Sequence, residues 1–133
     1  MRYVFKKAVF LDFIDSKSCF RLGWKTDADK PGYVGMPSCH GFGSFDYEGK
    51  KLRFIVIDKL GSDLEKHFNS GAKPFPLVTA LRVGVEVLDS LEFIHSRNYV
   101  HNDIKAQNLL TGATPDTADR VFLVDFGLAC KYR

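Results

Sequence analysis

The sequence has 133 residues, 45% apolar and 14% aromatic, which is enough to bury the core of one domain and too apolar for a disordered chain. Its 19 basic and 16 acidic side chains leave a charge of +3 spread along the chain, with short basic clusters only at Lys6, Lys7 and at Lys50, Lys51, so the concentrated stripe expected of direct nucleic-acid binding is missing. The cysteines Cys19, Cys39 and Cys130 are odd in number and far apart, and Cys39 with His40 has no second pair at zinc-ligand spacing, which argues for reduced thiols in an intracellular protein of nucleus or cytoplasm.

Residues 1–20 are apolar with scattered charge, and their period is ambiguous between helix and strand. Asp12 and Asp15 interrupt the run, which is also too short to span a bilayer, so neither a targeting nor a membrane segment is expected. Residues 22–37 collect Gly, Pro and Asp and read as an irregular connection. "HGFGSFDY" and "KLRFIVID" are β-rich runs separated by Glu48 and Gly49, which predicts an antiparallel hairpin over 40–58 whose second strand is buried. Gly41 and Gly43 tempt a phosphate-loop reading, but Asp46 occupies the place of the third glycine of GxGxxG.

Beyond Asp58, Gly61 is expected to break the strand and Ser62 to cap a short helix carrying Leu64 and Phe68 four positions apart. Over 76–98, Leu77, Leu81, Val85, Leu88, Leu91 and Ile94 recur at intervals of three and four, predicting a long amphipathic helix that Asn98 ends. The polar octet "HNDIKAQN" follows, then Leu109 and Leu110, a polar turn over 111–120, and the apolar strand "VFLV" leading into Asp125, Phe126 and Gly127. The switch from β-rich runs to helical period predicts an α+β fold.

The octet and the strand exit carry the chemistry. Phosphoryl transfer needs a carboxylate to orient the attacking hydroxyl, a cation for the transferring phosphate, and hard oxygen ligands for magnesium. Asp103 supplies the base, Lys105 the cation and Asn108 a neutral oxygen ligand, while Asp125 at the end of a strand supplies the charged ligand. Singly, these are a turn aspartate, a solvated lysine and an ordinary strand exit. Jointly, in this order and spacing, they resemble the catalytic loop and metal-binding triplet of eukaryotic-type protein kinases.

Lys105, two positions after Asp103, resembles the serine/threonine class. "RFIVIDKLGSDLEKHF", "LDSLEFIHSRNYVHNDIKAQNLL" and "VFLVDFGLACKYR" resemble the vaccinia-related kinases of the casein kinase one group, a likeness covering about residues 31–133. It implies one incomplete kinase domain over 1–133: an uncertain part at 1–30, N-lobe strands at 31–58, then hinge, helices, catalytic loop and metal triplet at 59–133. It further implies ATP with Mg2+, protein substrates bearing serine or threonine, Ile57 as gatekeeper, Asp58 at the hinge, the backbone of Leu60 on adenine, and Leu110 and Val124 as pocket floor. His101 would brace the turn at Asp125, although a buried core histidine reads equally well.

The sequence departs from a complete kinase in several places. The first glutamate is Glu48, Lys6 and Lys7 lack the usual strand context, and Arg133 is six residues beyond Gly127. Asn102 stands where many kinases carry an arginine, which removes the usual partner of a phosphorylated activation loop. Two readings follow: the central part of an active serine/threonine kinase with little activity by itself, or a kinase-derived scaffold without catalysis.

Overall fold

The computed structural model describes residues 9–10, 35–70 and 75–132. They divide into two units, one built on Ser38–Lys59 with Val9–Phe10, the other on 35–37 with 60–132. The readings of Cys19, of Lys6 and Lys7, of Asp12 and Asp15, and of most of residues 1–34 lie outside the described residues.

In the first unit, β1 (Val9–Phe10), β2 (Cys39–Tyr47) and β3 (Lys50–Ile57) form an antiparallel sheet in the order β1-β3-β2. The expected hairpin forms with Tyr47 opposite Lys50. Its two turn residues, Glu48 and Gly49, have φ of 49° and 74°, the paired left-handed geometry that matches strand twist and that glycine adopts without a Cβ clash. The glycines of "HGFGSFDY" serve the sheet: a Cβ on Gly43 would come 2.8 Å from the ring of Phe54 opposite it. The second strand is less buried than its apolar run suggests. Ile55 is buried while Leu52, Phe54, Val56 and Ile57 are half-buried, as in an antiparallel sheet with one face toward solvent.

In the second unit, β4 (Leu60–Asp63), β6 (Leu109–Gly112) and β7 (Val121–Leu123) form an antiparallel sheet in the order β4-β6-β7, and β5 (Tyr99–Val100) pairs with β8 (Cys130–Lys131). Gly61 does not break a strand. It lies within β4, where a Cβ would come 2.5 Å from Thr111 Oγ1 and 2.9 Å from the Gly112 carbonyl, so its bare backbone lets β4 lie close on β6. Nor does Ser62 cap the following helix α1 (Leu64–Ser70); Asp63 does, its Oδ1 accepting the Lys66 N–H at 2.9 Å.

The long helix α2 forms over Leu77–His95, and Asn98, at φ 63°, ends the turn that follows it by donating its N–H to the His95 carbonyl. The face it buries meets the apolar stripe only toward its C-terminal end, at the half-buried Leu91 and the buried Ile94. Leu77, Leu81, Val85 and Leu88 are exposed, whereas Glu86, Ser90 and Ile94 are buried on the side that meets β7. Hydrogen bonding selects that side. Glu86 Oε2 accepts the Val121 N–H at 2.7 Å, Ser90 Oγ donates to the Glu86 carbonyl at 2.9 Å, and the Gly35 carbonyl accepts the Leu123 N–H at 2.7 Å. The outer edge of β7 is thereby occupied, as an edge strand requires. Among the described residues no helix is long and apolar enough to cross a membrane.

Candidate active site

The octet begins where β5 ends. His101 is buried, packs edge-on against Phe126 with ring centroids 4.6 Å apart, and places Nε2 3.1 Å from the Val124 carbonyl. The Asp103 N–H reaches its Nδ1 at 3.3 Å, so Nδ1 accepts and Nε2–H donates to Val124; this network assigns the tautomer. Burial pushes the imidazole below its ordinary pKa, against the opposing pull of the Val124 bond and of the charges on Asp103 and Asp125.

Asp103 is half-buried, and its Oδ2 accepts Lys105 Nζ at 2.7 Å and Asn108 Nδ2 at 2.9 Å. The Lys105 hydrogen bond, with help from Asn108, holds the Asp103 carboxyl below the usual carboxylate range; the same bond raises the Lys105 ammonium above its own. Asp103 therefore remains an anionic acceptor well into acid, oriented by two donors. Lys105 is thus paired with Asp103 in this structure.

Asn108 is buried at the end of the 3-10 turn Ala106–Asn108. Its Nδ2 also donates to the Asp103 carbonyl at 2.8 Å, so both amide bonds run to oxygens and the side-chain oxygen is left for another partner. Its main-chain carbonyl accepts the Val124 N–H at 3.0 Å, which ties this turn to the residue preceding Asp125. Asp125 is exposed, lies at φ 62° and ψ 71°, and accepts the Gly127 N–H on Oδ1 at 3.2 Å. It is close enough for its charge to act on both Lys105 and His101. A carboxylate and an amide oxygen are the hard donors that magnesium takes, so this pair fits that ion. Among the described residues no three His, Cys, Asp or Glu side chains gather to hold a metal.

Of the residues expected to line the nucleotide pocket, Leu60, Leu110 and Val124 belong to the second unit. Leu60 and Leu110 are half-buried on the β4–β6 pair, where Leu60 faces Gly112 and Leu110 faces Asp63, and Val124 follows β7 directly. In the first unit, Ile57 ends β3 opposite Cys39, and the Asp58 carboxylate takes His40 Nε2 at 2.6 Å and the Ser38 N–H at 2.8 Å. Burial pushes the Asp58 carboxyl up, but the bonds from His40 and Ser38 outweigh it and hold it low.

Two participants escaped sequence reasoning. Glu86 was not singled out in the sequence, and Asn102 only as standing where many kinases carry an arginine; its Nδ2 donates to the Leu128 carbonyl at 3.1 Å. The adjacency of Asn102 to Asp103 was the available signal.

Residues 44–133 match the family model described as protein kinase domain. The chain is 44% identical over 100 residues to a probable serine/threonine-protein kinase of fowlpox virus, covering 75% of this chain and 32% of the relative. It is 36% identical over 129 residues to human serine/threonine-protein kinase VRK2, covering 97% of this chain and 24% of the relative. Against nucleosomal histone kinase 1 of Drosophila melanogaster it is 41% identical over 99 residues, 74% of this chain and 16% of the relative. The chain thus spans between 16% and 32% of the length of these curated relatives.

Proposed function

This chain belongs to the protein kinase domain family, and from that premise we propose that it carries the catalytic centre of a serine/threonine kinase that transfers the γ-phosphate of ATP to protein hydroxyls. The observation that carries the reading is Asp103, held anionic by Lys105 and Asn108 on a loop that is tied to the residue before Asp125. Asp103 accepts a hydrogen bond from the substrate hydroxyl and aligns it for attack. Lys105 exchanges its bond to Asp103 for the transferring phosphate. Asn108 and Asp125 are the residues that would hold magnesium, which when bound neutralises charge on the phosphates. Ile57 and Asp58 act as gatekeeper and hinge, and Leu60, Leu110 and Val124 take the adenine. The lysine after Asp103 and the names of the relatives both favour serine or threonine acceptors. One relative is named for nucleosomal histone, which makes histone the first substrate to try. The protein works inside the cell, in nucleus or cytoplasm.

The test is a chimera in which the flanking regions of human VRK2 complete this chain, assayed for transfer of labelled phosphate to histone. Transfer should require magnesium, and Asp125→Ala should abolish it. Asp103→Ala should lower kcat by about 10²- to 10⁴-fold with little change in ATP affinity, the loss expected of a positioned base. A completed chimera that binds ATP and transfers nothing would favour a scaffold instead.

A further inference from the structure

We propose that Asn102 is a positioning residue: with His101 it forms a two-jawed clamp that fixes Asp125, Phe126 and Gly127 on the catalytic loop without any phosphate. The two neighbours grip opposite flanks of the triplet. His101 Nε2 donates to the carbonyl of Val124, immediately before Asp125, and Asn102 Nδ2 donates to that of Leu128, immediately after Gly127, each at 3.1 Å.

The backbone is arranged for this. Asn102 has φ 63°, a region where glycine is the unforced choice and asparagine one of few tolerated side chains. The position therefore carries an amide although a bare backbone would suffice for the turn. That amide reaches the end of the 3-10 turn Phe126–Leu128, which closes with the Ala129 N–H on the Phe126 carbonyl at 3.0 Å and begins at Asp125, itself at φ 62°. The same Nδ2 lies 3.2 Å from Cys130 Sγ.

The neighbouring ladder is short. It pairs Tyr99 with Lys131 and Val100 with Cys130, and is extended by the Tyr132 N–H on the Asn98 carbonyl at 3.1 Å. All these pairings lie on the far side of Cys130 from Asp125 or at it, and the Asn102 bond carries the attachment back toward the triplet. A neutral amide on a main-chain carbonyl needs no counter-charge. A charged guanidinium at this position would instead favour a phosphate partner.

The clamp rests on the geometry alone; its consequence for nucleotide binding rests on the kinase reading. Both are tested in the 133-residue chain with Asn102→Gly, which keeps the left-handed backbone and deletes the donor, and Asn102→Asp, which keeps the shape and turns an acceptor toward the carbonyl. Hydrogen exchange of the Ala129 amide, measured without nucleotide, should quicken about threefold to tenfold in both, the size of one hydrogen bond, while amides of the 40–58 hairpin stay unchanged. Affinity for ATP should fall by a similar factor with magnesium present and stay unchanged without it. Unchanged exchange in both variants would overturn the clamp, leaving Asn102 a residue chosen for its backbone. Faster exchange with an unaltered magnesium-dependent affinity would overturn the positioning of Asp125. If neither the unaltered chain nor the chimera completed with the VRK2 flanks binds ATP while the variants still loosen Ala129, the clamp stands and the kinase reading fails.

Discussion

Mild acid should loosen the second unit through His101 before its carboxylates titrate. The imidazole is only 1% exposed, and as the neutral Nε2–H tautomer it accepts from the Asp103 N–H and donates to the Val124 carbonyl. Protonation would put a second hydrogen on Nδ1, facing that N–H, and would place a charge where burial already depresses the pKa below 6.5. As pH falls below about 6.5 the unfolded chain takes the proton first, so it binds more protons than the folded state and stability declines. The contribution is complete above about pH 6.5, is lost as pH falls, and stops falling below the folded pKa. Linkage caps the loss from one site at about 1.4 kcal/mol per pH unit, a tenfold change in the folding constant. The assay is the urea midpoint of the chain between about pH 7 and about pH 5, alongside His101→Gln, in which the other histidines titrate as before. The carboxyls held low at Asp58, Asp63, Asp103 and Asp119 lose their contributions only as pH drops below their ordinary value of 3.8, a separate window. Parallel pH profiles for the two proteins would refute the assignment of the buried neutral tautomer.

Glu86→Ala removes the carboxylate acceptor of the Val121 N–H and should cost about 1.5 to 3 kcal/mol, or about 1 M in urea midpoint, with Glu86→Gln recovering part of it; an unchanged midpoint in Glu86→Ala would mean that the helix is not anchored through that bond. On the same helix, Leu81→Lys should change stability by less than about 0.5 kcal/mol, while Ile94→Ala should cost about 2 to 5. Equal costs, with a concentration-dependent elution volume, would mean that a second copy covers the leucine stripe in solution.

What could be read from the sequence follows from how each feature is encoded. The 40–58 hairpin was legible because Glu48 and Gly49 between two β-rich runs leave few turn geometries, and helix α2 because its period persists over nineteen residues. Which face of α2 turns inward was not legible. The apolar stripe ran from Leu77 to Ile94, yet Leu77, Leu81, Val85 and Leu88 are exposed, while Glu86 and Ser90 are buried with Ile94, Glu86 holding the Val121 N–H of β7 and Ser90 bonding the Glu86 carbonyl. Gly61 misled for a related reason: as a breaker it ends strands, but here its missing Cβ permits β4 to approach β6. At the site, Asp103, Lys105, Asn108 and Asp125 were legible as a spaced set of chemical types. The pairing of Lys105 with Asp103 was not, because spacing does not say which of two partners a cation takes.

Apart from the Lys105–Asp103 pair, the contacts that escaped have one property in common. Glu86 holds the Val121 N–H, Asn102 the Leu128 carbonyl and Asn108 the Asp103 carbonyl. In each, a polar side chain meets a main-chain group, and a main-chain group has no residue-type signature. The strands around the loop explain why such bonds are needed. β5, β7 and β8 have two, three and two residues, too few for ladder pairing to hold a loop at hydrogen-bond precision. Side chains that bond to the backbone make up that deficit, and they fix the carbonyls on either side of Asp125 rather than its carboxylate. Among the described residues the carboxylate itself accepts only the Gly127 N–H at 3.2 Å, which leaves it oxygen valences for a ligand on a backbone held from both flanks.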